Sequence, residues 1–80
     1  MDISNEHFLL LFGENLRKIR TERKLSLRQL SQNCDIDHSD ISKIEKGERN
    51  IQMSTVLQLA KGLGKTPHEL FDFDFNIIRQ

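Results

Sequence analysis

The sequence predicts an all-α domain of five short helices followed by a short extended C-terminal tail. Three observations indicate this fold class. Apolar residues recur at intervals of three or four between residues 8 and 71, which is the period of a half-buried helix. Gly47 and Gly64 each follow such a stretch, as glycines often do at helix ends. Beyond these helices the pattern changes to strict apolar–polar alternation, which is typical of extended chain. The 80 residues fit a single domain, with a core at 8–71 and a tail at 72–80.

The first helix is predicted from Phe8 to Lys24. Gly13 interrupts it at a cost of about 1 kcal/mol relative to alanine. We therefore expect another helix to approach the first one closely at this glycine. The inward face, set by helical spacing, comprises Leu9, Phe12, Leu16, Ile19 and the stem of Arg23.

A short second helix is predicted at 27–34. It begins at a capping box, in which Ser26 accepts from the amide of Gln29 and the Gln29 side chain reaches back. Cys34 has no histidine or second cysteine at ligand spacing, so we interpret it as a small core residue and predict no metal site. The inward face comprises Leu27, Leu30 and Cys34.

The third helix is predicted at 37–46, after a turn at Asp35 and Ile36. Asp37 is its N-terminal cap, and Gly47 ends it. Ile41 and Ile44 face the core. Asp40, in the first turn, is favourably placed at the positive end of the helix dipole.

The last two helices are predicted at 51–63 and from Pro67 to about Phe71. Gly64 ends the longer helix. Thr66 and Glu69 form a second capping box, with proline at the first helical position. The predicted buried stripe of the longer helix comprises Met53, Val56, Leu57, Ala60 and Leu63.

The tail alternates from Phe71 to Ile77 and contains three of the five phenylalanines. An unpaired strand with exposed phenylalanines is unfavourable, so two arrangements are open. The tail can fold back over the helices of its own chain, or it can pair with the tail of a second copy about a two-fold axis. We favour pairing, with Phe73, Phe75 and Ile77 as dimerisation residues.

Composition restricts the function further. A single cysteine permits no intrachain disulfide, and the N-terminal apolar run lacks the features of a signal peptide, so we expect a cytoplasmic location and no membrane association. The formal net charge is zero, yet residues 15–49 hold nine Lys/Arg against six Asp/Glu, while both ends are acidic. No catalytic grouping or Gly-rich phosphate loop occurs, so we expect neither an enzyme nor a cofactor. The small core leaves little room for a small-molecule ligand.

The helices at 27–34 and 37–46 have the geometry of a helix-turn-helix. Opposite the two isoleucines of the second helix lie short or flexible polar groups that can bond to base edges. Basic and amide groups near the ends of the two helices can grip phosphates. The base-facing candidates are His38, Ser39, Ser42 and Lys43, and the phosphate-facing candidates are Arg28, Lys46, Arg49 and Asn50.

Residues 12–71 resemble the phage repressor/Cro-type helix-turn-helix family, the XRE-like transcriptional regulators. The motifs that carry this resemblance are IR…R in the first helix, L-S-x-x-x-L-S at 25–31, ISKIEKGERN at 41–50 and L-x-L-A-K-x-L-G…E-L-F at the end. The length, and RNI at 49–51, also resemble the small controller proteins of restriction–modification systems. The resemblance implies a five-helix, lambda-repressor-like DNA-binding fold that recognises double-stranded DNA through residues 37–46.

The resemblance also implies roles for individual residues. Arg20 and Glu45 match a pair that forms a salt bridge between the first helix and the recognition helix in such domains. The implied base-reading residues are His38, Ser39 and Lys43, and the implied phosphate-facing residues are Ser42, Lys46, Arg49 and Asn50.

The sequence departs from the family pattern at the start of the second helix and in the recognition helix. Position 27 is commonly a phosphate-contacting glutamine but here is leucine, so that contact is absent or moves to Arg28. Asp37 and Asp40 make the recognition helix acidic. Asp40 is able to accept from cytosine N4, but we favour a role at the helix start.

We expect a transcriptional regulator that binds a palindromic operator as a homodimer. The alternative is an antitoxin-like module that neutralises a partner protein and regulates its own operon, since antitoxins share this domain.

Overall fold

The computed structural model describes residues 3–74, which form four α-helices and one 3-10 helix. The α-helices are α1, Asn5–Glu22; α2, Leu27–Gln32; α3, His38–Glu45; and α4, Met53–Leu63. The 3-10 helix is Pro67–Phe71. No strand occurs within the described range. The all-α class is therefore confirmed, whereas only four of the five predicted helices are α-helices.

The fifth helix is a 3-10 helix because its backbone closes on tighter, i to i+3 hydrogen bonds. The amide of Glu69 donates to the carbonyl of Thr66 at 3.1 Å, and that of Asp72 donates to Glu69 at 3.3 Å. The predicted capping box of Thr66 and Glu69 is present. The segment holds five residues, too few for an extended ladder of i to i+4 bonds.

The other helices differ from their predicted bounds mainly at the ends. Helix α1 begins three residues early, because the Ser4 hydroxyl accepts from the amide of His7 at 3.1 Å. It ends at Glu22, and Lys24 turns the chain with a φ of +59°. Arg23 then joins α1 to the end of α4, since its guanidinium donates to the carbonyls of Leu63 and Gly64 at 2.8 and 3.0 Å.

The core lies between α1 and the shorter helices. Its fully buried side chains include one or two from each of α1, α2, α3, α4 and the 3-10 helix: Leu16, Leu30, Ile41, Leu59, Leu63 and Leu70. The predicted stripe of α4 was wrong at two positions. Met53 is 80% exposed and Leu57 is 43% exposed, whereas Leu59 is fully buried. The buried face of α4 is thus Val56, Leu59, Ala60 and Leu63, an i, i+3, i+4, i+7 pattern.

The start of the tail lies against α1 of the same chain. The ring of Phe71 packs on those of Phe8 and Phe12, with centroids 6.2 and 5.1 Å apart. The ring of Phe73 lies 6.1 Å from that of Phe8. These two residues thus follow the fold-back arrangement. Phe75 and Ile77 lie outside the described residues, and pairing between tails stays a prediction. None of the helices in residues 3–74 combines the length and apolar character needed to cross a membrane.

Candidate nucleic-acid interface

Helix α3 has one face in the core and one face in solvent. Ile41 and Ile44 anchor it, with exposed fractions of 0% and 4%. On the outer side Ser39 and Lys43 are exposed, while His38 and Ser42 are half-buried. The structure therefore brings the predicted base-facing residues together on the solvent side of α3.

The N-terminus of α3 is capped by Asp37. Its carboxylate accepts from the amide of Ser39 at 3.2 Å and also from the Ser39 hydroxyl. These bonds, the hydroxyl bond foremost, hold the pKa of Asp37 below its usual value. The Nδ1 atom of His38 lies 3.7 Å from the same carboxylate. One predicted base-reading side chain, Ser39, is thus held at the helix start by an acid, and a second, His38, lies near the same acid.

The C-terminal end of α3 is fixed by a buried ion pair. Arg20 Nε and Nη2 donate to the two carboxylate oxygens of Glu45 at 2.6 and 3.0 Å, and Nη1 donates to the Leu25 carbonyl at 2.8 Å. The side chains are 11% and 6% exposed. The pair that the resemblance implied is therefore present, and it joins α1, the loop before α2, and α3 through one guanidinium.

Two glycines allow α3 and the loop after it to lie directly on α1. A Cβ atom on Gly13 would lie 2.5 Å from the carbonyl oxygen of Glu45 and closer still to that of Ile44. Gly47 adopts a φ of +75°, and its Cβ would lie 2.8 Å from the Cα of Leu10. The predicted close approach at Gly13 is confirmed, and the approaching segment is the end of α3.

The predicted phosphate-facing residues lie in two separate grooves. Ser42 and Lys46 line a groove of about 260 Å³ between α1, α2 and α3, together with Arg17 and Leu27. Arg49 and Asn50 line another groove of about 590 Å³ beside the N-terminal half of α3. Arg28 is exposed in the first turn of α2 and lines neither groove. Cations thus lie on both sides of α3, as a helix bound in a groove between two phosphate backbones requires.

Sequence reasoning missed Arg17. Its side chain is exposed, and within residues 3–74 it forms no ion pair, so its charge is available to a phosphate in the groove that it shares with Ser42. The signal was the spacing to Arg20, because residues three apart lie on the same side of a helix.

The described residues provide no alternative site of obvious chemistry. No group of three or more His, Cys, Asp or Glu among residues 3–74 is arranged to hold a metal ion. Cys34 is half-buried and its thiol donates to the Leu30 carbonyl at 3.3 Å. Burial raises the pKa of this thiol, which disfavours the reactive thiolate.

A short helix pair with an anchored second helix, polar outer face and flanking cations defines the class of helix-turn-helix DNA-binding proteins. Residues 16–70 match the helix-turn-helix family model, and the chain belongs to this family of transcriptional regulators, which are not enzymes.

Several proteins that are similar to this chain are control proteins, and some of them are named as controllers of restriction–modification systems. The chain is 38% identical over 65 residues to the control protein C.BamHI of Bacillus amyloliquefaciens, covering 80% of each chain. Its structure resembles that of the controller C.AhdI from Aeromonas hydrophila, with a TM-score of 0.77, 38% identity, and coverage of 79% of this chain and 96% of the other. It also resembles the controller C.Esp1396I, whose structure is a tetramer in complex with its natural 35 base-pair operator. In that comparison the TM-score is 0.75 and the sequence identity is 26%, and the match covers 81% of this chain and 86% of C.Esp1396I.

Proposed function

We propose that this chain is a regulator that binds a palindromic operator as a homodimer, with α3 in the major groove. The observation that carries the proposal is the fixation of α3 along its inner face and at its C-terminal end: buried Ile41 and Ile44 hold it to the core, and the Arg20–Glu45 pair holds its C-terminal end to α1. A recognition helix must be held rigidly, because base readout depends on hydrogen-bond geometry.

In this proposal the base-reading residues are Lys43, Ser39 and His38. Lysine suits the O6 and N7 acceptors of guanine, and serine and histidine can donate to base edges once Asp37 releases them. Phosphates are held by Ser42, Lys46 and Arg17 in one groove and by Arg49 and Asn50 in the other, and by Arg28 from the first turn of α2.

We further propose that a second copy covers the apolar surface around Met53. Met53 is 80% exposed and Leu57 is 43% exposed on α4. Met53 also lines an apolar cavity of about 120 Å³ with Phe8 and Phe71, next to the point where the tail begins. A solvated methionine beside an aromatic cluster, with an exposed leucine on the same helix, favours contact with another protein surface. The assembly of C.Esp1396I on its operator supports oligomeric DNA binding in such relatives.

The experiment that tests the function is selection of binding sites from random double-stranded DNA. We expect enrichment of two inverted half-sites separated by about one helical turn or a multiple of it, since a two-fold dimer presents two copies of α3. Absence of any enriched sequence would overturn sequence-specific binding. An enriched single half-site would retain DNA recognition but overturn the dimer.

Truncation after Asp72 tests the dimer separately from recognition. It removes Phe73, which packs on Phe8, together with the rest of the tail. We expect loss of the dimer in sedimentation and a parallel loss of operator affinity. A truncated chain that remains dimeric, binds its operator and loses only a co-expressed partner protein would favour the antitoxin alternative.

A further inference from the structure

Arg49 is held by an acid of the recognition helix. Its Nη2 atom lies 3.8 Å from Oδ1 of Asp40, and the two side chains are 48% and 55% exposed. Arg49 follows α3 in the loop that begins at Gly47, whereas Asp40 lies in the first turn of α3. The ion pair thus connects the loop to the side of the helix that the proposed complex turns towards DNA.

The surroundings of Arg49 are strongly acidic. The groove that it lines contains Asp35, Asp37 and Asp40, and Arg49 is the one cation among its described lining residues. Lys46 differs in both respects. It lines the other groove, which also contains Arg17 and the paired Arg20 and Glu45, and it forms no ion pair within residues 3–74. Of these two proposed phosphate ligands, only Arg49 must leave a carboxylate to reach DNA.

We propose that Asp40 weakens DNA binding by competing with a backbone phosphate for the guanidinium of Arg49. This inference rests on the proposed DNA-binding function. The charge of a guanidinium attracts a carboxylate and a phosphate alike, so a phosphate can take the place of the carboxylate. When Arg49 turns to a phosphate, Asp40 is left without its cation and close to a polyanion. Because phosphate contacts do not depend on sequence, the competition lowers affinity for all duplexes.

The competition has a definite energetic scale. Exposed ion pairs contribute little, so replacing the carboxylate should tighten binding by about two- to five-fold at moderate salt. The dependence of log affinity on log salt should steepen by up to about one unit, because one more phosphate charge is neutralised without the opposing acid. This gain in affinity should depend on the presence of Arg49.

The test is a double-mutant cycle with Asp40→Asn and Arg49→Gln. Affinity is measured over a series of salt concentrations, with the best duplex from the selection and a scrambled duplex of equal length and composition. The matched control is Asp35→Asn, which makes the same change of net charge in the same groove, at an acid with no ion pair among the described residues. Thermal unfolding of each variant checks that α3 remains folded, because Asp40 also lies in its first turn.

We expect Asp40→Asn to tighten binding to both duplexes, and to do so more than Asp35→Asn. In the Arg49→Gln background the gain should fall to that of the control. Weaker binding by Asp40→Asn would show instead that the carboxylate positions Arg49 and would overturn the inference. An equal gain with and without Arg49 would also overturn it, because the carboxylate would then act directly on phosphates. A wild-type chain that binds neither duplex would refute the proposed function itself.

Discussion

Lys43 is the residue from which we expect the largest effect on sequence preference. It is exposed on the outer face of α3, directly beside the buried Ile44 that anchors the helix. We predict that Lys43→Ala relaxes the preference at one base pair and costs about 1–3 kcal/mol on the preferred duplex. The measurement is binding to a panel of duplexes in which each base pair is changed in turn.

Lys46→Ala is the matched control for this prediction, because it removes the same side chain one turn further along. It should weaken binding to all duplexes to a similar extent, as expected for a phosphate contact. If Lys43→Ala gave the same uniform loss, Lys43 would not read a base.

The Arg20–Glu45 pair carries the clearest prediction for stability. Glu45→Ala leaves a guanidinium that is 11% exposed with only the Leu25 carbonyl as partner. Removing one member of a buried pair costs about 3–5 kcal/mol, and we predict a loss of this size in urea unfolding. Glu48→Ala should change stability by less than about 0.5 kcal/mol, because Glu48 is exposed and forms no ion pair within the described part of the chain. Similar losses from both variants would contradict a specific role of the pair.

The two ion pairs of α3 differ in how far the sequence could predict them. Arg20 and Glu45 were found through a family motif, because the pair joins separate helices and leaves no periodic signal. Asp40 lies outside the family motifs, and its pairing with Arg49 depends on how the loop after Gly47 returns beside α3. Arg17 was detectable by its spacing to Arg20 but was not assigned, since spacing does not show which groove a side chain enters.

At the scale of elements, Gly13 sets the distance between α1 and α3. Alanine is favoured over glycine within a helix by about 1 kcal/mol, but here the added methyl would collide with the backbone carbonyls of Ile44 and Glu45. We predict that Gly13→Ala destabilises the domain by about 1–3 kcal/mol, as overpacking does, and weakens DNA binding because α3 is displaced. Unfolding and DNA binding are measured together.

Gly62→Ala provides the comparison within α4. Its added Cβ would lie 2.9 Å from a methyl carbon of Leu30, a side-chain atom that can shift more easily than backbone. We expect a smaller loss of stability and little change in DNA binding. A stable Gly13→Ala variant with unchanged binding would show that α3 does not depend on this contact.

Local signals in the sequence predicted where the helices begin better than which type of helix forms. Ser26, Asp37 and Thr66 each cap the helix that the sequence assigned to them, because capping depends on neighbouring residues alone. The last helix became a 3-10 helix because apolar spacing over five residues does not distinguish i+3 from i+4 bonding. Leu57 and Leu59 exchanged burial for a related reason: they flank the predicted stripe of α4 on opposite sides, and packing against the other helices decides which of the two is buried.

For the whole molecule, the sequence predicted the all-α class and the helix α3, but the apolar surface of α4 emerged only from the packed structure. The described start of the tail lies on α1, so Phe71 and Phe73 are occupied by contacts within the chain. The exposed apolar side chain that shares a cavity with Phe71 is Met53, and Leu57 is exposed four residues further along α4. A dimer that uses this surface would lie next to Phe71, where the tail begins.

The final prediction concerns this surface. Met53→Asp alters a side chain that is 80% exposed, so we expect unfolding of the monomer to change by less than about 0.5 kcal/mol. If a second copy covers Met53, burying the new carboxylate without a partner weakens the dimer, and the concentration of half-dissociation measured by sedimentation rises at least about tenfold. Operator affinity falls with it, since two linked copies of α3 bind far more tightly than one.

Leu10→Asp is the matched control. Leu10 is a 41% exposed leucine on α1 beside Gly47, and its replacement should leave the dimer intact. An unaffected dimer in Met53→Asp, with dissociation in Leu10→Asp, would move the interface from α4 to α1.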